Sequence, residues 1–324
     1  MTWLERNQVA CYLVALAVGA AAGLAVPALR GPAASSTTPV LAVLLYLTFL
    51  GIPLVGGRRG SPDPRFLLAL VSLNAVAAPL VAFGLTRLVA FDASLEIGAL
   101  LVLLAPCVDY VVVFAGLAGG ASRRLLAATP LLMLGQVLLV PVYLRLFAGA
   151  EAAGAIEIRT FLEAFVWLIV VPFALAWLTQ IVARRSRRAR RFAGAAGTAM
   201  VPVMMVTLAV VVCSQIDAVV GRAAEVAWLA PVYILFAAAM TAIGVAATRL
   251  LRLEAPEGRA ATFSGVTRNS LVVLPLALAL PGGQGLAAVA VVAQTLVELI
   301  VMVVLVAAVP RLVPLRSRGS RSAG

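Results

Sequence analysis

The sequence predicts an all-α polytopic membrane protein: about ten transmembrane helices in two inverted five-helix repeats, with helices 4 and 9 broken. Three observations lead there. Of the 324 residues, 63% are hydrophobic and only 12% charged, which is too oily for a soluble domain. Apolar segments of about 20 residues, the length that crosses a bilayer as a helix, recur along the whole chain. Arginines mark alternate linkers, and their densest run, RRSRRARR at 184–191, falls near the middle.

Five spans precede that run, at 8–28, 38–55, 66–90, 95–118 and 125–148. Five follow it, at 159–182, 195–214, 225–250, 260–281 and 285–309. The linkers are short and leave little room for a separate soluble domain. The expectation is a single membrane domain over 1–324, with one repeat at 8–148, a second at 159–309 and a basic tail at 310–324. The stretch up to Pro27 has the apolar character of a signal peptide, but with nine spans behind it, it reads as the first helix. With the N-terminus inside, Arg58, Arg59, Arg65, Arg123, Arg124, the 184–191 run, Arg249, Arg252, Arg259 and the tail arginines all lie in the cytoplasm. Most acids, among them Asp92, Glu96, Glu151, Asp217 and Glu225, lie opposite. This alternation puts both termini in the cytoplasm and the protein in the cell membrane. The formal charge of +12 could suggest nucleic acid, but linker arginines at this spacing anchor to anionic headgroups instead. Membrane lipid is therefore an expected partner and nucleic acid is not. An odd number of spans per half turns the second half upside down, the inverted-repeat plan of secondary transporters.

Several chemistries are excluded. There is no histidine, and every basic residue is arginine, so His-ligated metal and Ser-His or Cys-His catalysis are absent. Cys11, Cys107 and Cys213 are too scattered for a metal or redox motif or a disulfide framework. There is no His-Glu-x-x-His, Asp-rich diphosphate motif or P-loop, and Gly282-Gly283 reads as a turn between spans. The chain is not expected to be an enzyme or to hold a metal or cofactor. A small-molecule substrate is expected.

Three charges fall inside the spans: Asp109, Arg268 and Glu298. Each costs about 2.5–3.5 kcal/mol at a span centre, so such residues face a protein interior or a watery cavity. Asp109 follows Pro106 and Cys107 in APCVDY at 105–110. Proline removes a backbone donor and clashes with the preceding turn. An unwound segment there lets Cys107 and Asp109, about 200° apart on an unbroken helix, reach one cavity, and such a segment is tolerated only when buried in protein or lining one. The plainer alternative is a kink with Asp109 bonded to a neighbouring helix. Cys107 offers a soft sulfur to a thiophilic solute, or packs as a small hydrophobe, as Cys11 and Cys213 do. GVTRNSLVVLP at 265–275 gives the ninth span a matching polar insertion with Pro275 as its proline, at an offset of about 160 residues. Arg268 suits either an ion pair with Asp109 or Glu298, or an anionic substrate. Asn269 and Ser270 fit substrate contact or helix–helix glue, and Asn74 reads as glue. Glu298 shares a helix face with Gln294. A carboxyl group in so dry a site is either a proton carrier, as Asp109 can be, or a hydrogen-bonded structural group.

At APC (105–107) and TRNSLVVLPLALALP (267–281) the sequence resembles the bile acid:sodium symporter superfamily, and is most similar to its arsenical-resistance, arsenite-efflux branch. The resemblance implies that broken helices 4 and 9 cross near the midplane, and that a core of spans 3–5 and 8–10 moves against a panel of spans 1, 2, 6 and 7. It implies arsenite or a similar oxyanion as substrate, with Cys107 as a functional residue; the intramembrane carboxyl groups of Asp109 and Glu298 point to protons as the coupling ion. An organic anion carried with sodium is the alternative. The arsenite branch has an Asn-Asn pair, an aromatic residue and a glutamate in the ninth helix. Arg268, Asn269, Ser270 and Leu271 stand there instead, without the glutamate. The sodium-coupled branch builds its ion sites from ninth-helix Glu, Asn and Gln, and a guanidinium beside them opposes a bound Na⁺.

Overall fold

A computed structural model describes residues 7–51, 63–107, 110–147, 166–278 and 286–315. Among these the structure is helical, without a strand. The first helices are α1 (Gln8–Ala25) and α2 (Arg30–Gly51), joined by the tight turn Pro27–Leu29. α3 (Pro64–Val89) carries one wide π turn at Leu73–Ala77. Then come α4 (Ala93–Leu104), α5 (Tyr110–Leu117) and α6 (Ser122–Phe147). α7 (Val171–Arg185) continues from a π turn at Val166–Val170 and is followed by α8 (Arg187–Gly221) and α9 (Ala223–Leu250). α10 (Ala255–Val266), α11 (Ser270–Leu278) and α12 (Leu286–Leu312) complete the order.

Five of these helices are long and apolar enough to cross a membrane, at Pro27–Gly51, Pro64–Val89, Thr198–Asp217, Ala223–Leu250 and Leu286–Leu312. The exposed surface agrees with a bilayer as solvent. Val14, Leu80, Leu146, Trp167, Trp228 and Ile300 all stand more than half exposed, a pattern that lipid, not water, accommodates.

The local sequence explains the helix ends. Asp63 caps α3 by accepting from the Arg65 amide at 2.8 Å, with Pro64 at the first helical position. Asp92 caps α4 through the amides of Ser94 and Leu95. The run 184–191, expected as a linker, is helical on both sides of a one-residue break at Ser186. There Ser186 turns extended, and its hydroxyl and carbonyl accept from the first amides of α8.

The helices pack as two groups. α1, α2, α7 and α8 lie against one another, while α3 to α6 pack with α9 to α12. The groups touch where α12 meets α8 and α1, where α11 meets α2, and where α8 runs on into α9. Close approaches depend on small residues. At Gly98 of α4 a side-chain carbon would stand 2.6 Å from the Cα and the carbonyl oxygen of Ala287 on α12, so only glycine allows this crossing.

One end of the second group is tied by Arg259, which is buried. Its guanidinium donates to the carbonyls of Ala118 at 3.0 Å and Val313 at 2.9 Å, closing the C-terminal ends of α5 and α12. Buried Glu257, two residues before it on α10, pairs with Arg124 of α6. Gly119 turns the chain here with φ +70, a left-handed conformation that favours glycine.

Candidate functional site

The two broken segments meet. α4 stops at Leu104 because Pro106 cannot continue it, and α10 stops at Val266. Between the breaks, Pro106 and Arg268 form an isolated antiparallel β-bridge. The amide of Asn269 donates to the Ala105 carbonyl at 2.7 Å, and that of Cys107 donates to the Thr267 carbonyl at 3.2 Å. The two bonds exchange under a shift of 162 residues: Asn269 stands to Cys107 as Thr267 stands to Ala105. The freed backbone is thus satisfied by the other break, not by water.

Arg268 sits at this junction with 0% exposure, the largest fully buried side chain among the described residues. Its guanidinium donates to the Asn74 side-chain oxygen at 3.0 Å, to the carbonyl of Ser264 at 2.9 Å, to that of Gly265, and at 3.4 Å to that of Leu103. The carbonyls of Leu103, Ser264 and Gly265 belong to the last turns of α4 and α10, which have no partner further along their own helix. One guanidinium therefore caps both broken ends, where the helix dipoles concentrate negative charge. It also lies over the Phe236 ring, 5.4 Å from the centroid, a cation–π placement.

Glu298, 5% exposed on α12, reaches the same junction from the other side. Its Oε2 accepts from the main-chain amide of Arg268 at 2.8 Å and from the Gln294 side-chain amide. The i, i+4 spacing of Gln294 and Glu298 makes that second contact possible. Ser270 and Asn269 are buried at the start of α11. The Ser270 hydroxyl and the Gln294 carbonyl oxygen are buried with no hydrogen bond among the described residues, so the site retains open polar capacity.

The other expected residues fall as follows. Cys107 is fully buried at the bridge. Asp109 lies outside the described residues. Pro275 lies inside α11, which runs through it; the break in that stretch is at Thr267–Asn269. Cys11 and Cys213 are buried free thiols in the α1–α8 group, away from the junction.

Besides Phe236, three residues join the site that the sequence did not single out for it. Asn74 does more than bridge helices. The π turn of α3 carries it, its amide donates to Leu70 and Ser264, and its oxygen holds Arg268. Tyr233 of α9, buried and donating to the Ala290 carbonyl at 2.8 Å, lines a cavity of about 10 Å³ with Gln294, Glu298 and Phe236, about one water in size. On the α3–α6 side, Asn74, Pro106, Leu104 and Tyr143 border a cavity of about 120 Å³. Tyr143 donates to the Ala75 carbonyl beside it. An amide in an apolar span marks Asn74 in the sequence, but the π turn that carries it to Arg268 is announced by no residue pattern.

Residues 38–222, more than half of the chain, match the Sodium Bile acid symporter family. The chain belongs to that family. Members of that family are transporters rather than enzymes, and the chain is accordingly a multi-pass membrane transporter with a small molecule as substrate. No curated protein matches it. The matched residues include the Pro106 half of the crossing and end before the Arg268 half. The family's name carries sodium, which takes oxygen ligands from carbonyls and side chains, as hard cations do. At this crossing a set of that kind, three helix-end carbonyls and the Asn74 oxygen, already surrounds a guanidinium. The residues around Arg268 thus do not fit a sodium ion.

Proposed function

We propose that the protein is a secondary transporter of two inverted repeats in the cell membrane, both termini cytoplasmic, and that it exports a small oxyanion or oxyacid such as arsenite or antimonite by exchange with protons. The observation that carries the reading is the fully buried Arg268 at the bridge between two broken helices, with the Glu298 carboxyl group on its amide. The repeat is supported by the helix bounds. α4 (Ala93–Leu104) and α10 (Ala255–Val266) are equal in length and 162 residues apart, the same offset that relates the two bonds of the bridge.

In this reading the substrate sits among Cys107, Asp109, Arg268, Asn269 and Ser270. The N-terminus of α11 and the open Ser270 hydroxyl face the negative oxygens, the guanidinium supplies fixed charge, and the Cys107 sulfur suits a thiophilic arsenic or antimony centre. The cavities bordering the crossing, about 10 and 120 Å³, favour a small solute over a sterol-sized one. Protonation of Glu298 removes charge from the oxygen that holds the Arg268 amide, loosening the α10–α11 junction. Asp109 carries the second proton. The core of α3–α6 and α9–α12 then shifts against α1, α2, α7 and α8, exposing Cys107 to one side and then the other.

The test is uptake of arsenite and antimonite into everted vesicles with and without a proton gradient. Gradient-driven uptake is expected, abolished by Cys107→Ser and uncoupled from the gradient by Glu298→Gln. Active protein that carries neither oxyacid refutes the substrate. The family match favours a second reading, an organic anion whose carboxylate pairs with Arg268. Stabilisation by organic acids and not by arsenite would select it.

A further inference from the structure

We infer that Arg268 is a built-in cation of the crossing, and that this chain's cycle is independent of the sodium its family name implies. The donor set makes the argument. The carbonyl oxygens of Leu103, Ser264 and Gly265 and the side-chain oxygen of Asn74 converge from α3, α4 and α10 on one positive group. All four are neutral oxygens, the ligand type that a hard cation takes. Three belong to helix C-termini, whose partial negative charges repel one another across the crossing unless a positive charge lies between them. A free ion would meet that need only when bound. A guanidinium meets it permanently, because it does not lose its proton in a protein. The charge is tethered to the chain between Thr267 and Asn269, whose backbone groups make the bridge to α4, so it cannot leave with the substrate.

A second positive charge at this spot is strongly disfavoured at such short range in a dry interior. Sodium therefore does not bind beside Arg268 as a coupling ion. Removing the guanidinium leaves an oxygen cage without its cation, and a free ion can then enter it. For its bearing on transport the inference rests on the crossing being the translocation site. The cage itself does not depend on that reading, and its test needs no substrate.

The experiment is thermal unfolding of the full chain in detergent, in sodium, potassium or choline chloride at equal ionic strength. Wild type is expected to melt at the same temperature in all three salts. Arg268→Gln is expected to melt lower in choline and to recover by about 2–3 °C in sodium at ten times its dissociation constant. Arg268→Lys, which keeps the charge, is expected to show no sodium response. A sodium-specific shift in wild type overturns the inference, as does a folded Arg268→Gln that is blind to sodium and potassium. If the neutral variant cannot be purified in any salt, the wild-type and Arg268→Lys measurements decide, a sodium response in either being the overturning result. A chain that fails to transport arsenite but behaves this way keeps the built-in cation and loses the substrate. One that transports arsenite and melts higher only in sodium does the reverse.

Discussion

Asn74 is the residue whose removal tests the architecture of the crossing most directly. It is the link from α3 to the junction, with one bond to the Arg268 guanidinium at 3.0 Å and two from its own amide, to the Leu70 carbonyl at 2.9 Å and the Ser264 hydroxyl at 3.1 Å. A bond to a charged partner contributes about 1.5–3 kcal/mol and a neutral one about 0.5–1.5 kcal/mol. Asn74→Ala does not strand the guanidinium, which keeps the carbonyls of Ser264 and Gly265. The cavity of about 120 Å³ that Asn74 borders also admits water to the gap. The net loss is therefore about 2–3 kcal/mol, or about 4–6 °C in melting temperature for a chain of this size. Asn74→Leu occupies the same space and denies the water, so it is expected to cost more than alanine despite its larger apolar surface. The assay is thermal unfolding of purified protein together with substrate flux in vesicles, where both variants lose flux because Arg268 is no longer held from α3. Unchanged stability in Asn74→Ala, or leucine proving the milder change, refutes the reasoning.

Two further predictions come from the packing. Arg259→Met strands the carbonyls of Ala118 and Val313 and is expected to lower stability by about 2–4 kcal/mol; Arg259→Lys recovers only part of it in thermal unfolding, since an ammonium lacks the fork that reaches both helix ends. Gly98→Val drives a side chain into the Ala287 backbone and is expected to cost at least about 1–3 kcal/mol, seen as lost folded yield on size exclusion, whereas Gly84→Ala, with open space around it, gains up to about 1 kcal/mol in thermal unfolding.

The reading of the sequence as an all-α membrane chain rests on bulk properties that folding does not rearrange. Hydrophobicity and segment length specify a bilayer as solvent whatever the helices touch. The break at Pro106 was equally legible, because proline acts on its own helix. Pro275 shows the limit of that rule: α11 runs through it, while the break lies at Thr267–Asn269, where no proline stands and the backbone is satisfied across the bridge to Ala105 and Cys107. The run at 184–191 shows the limit of reading charge as linker. Arginine is a good helix former, and Ser186 alone interrupts the helices there.

Arg268 and Glu298 were recognisable from sequence because a charge in a span is costly and therefore rare. Their partners were not. The acceptors of the guanidinium are chiefly backbone carbonyls, which every residue possesses, and sequence carries no mark of which ones a fold leaves open. Arg259 reads as a linker charge near a headgroup region, yet it is buried, as is Glu257, because α10 begins at Ala255 and tucks against the ends of α5, α6 and α12.

The sequence by itself determined the solvent, the secondary structure class and the rare intramembrane charges, since each follows from local composition and the cost of polar groups in lipid. Only the tertiary structure decided what those charges do. Two breaks 162 residues apart must be brought together before helix-end carbonyls can converge on one guanidinium, and that convergence is a property of packing which no single segment contains.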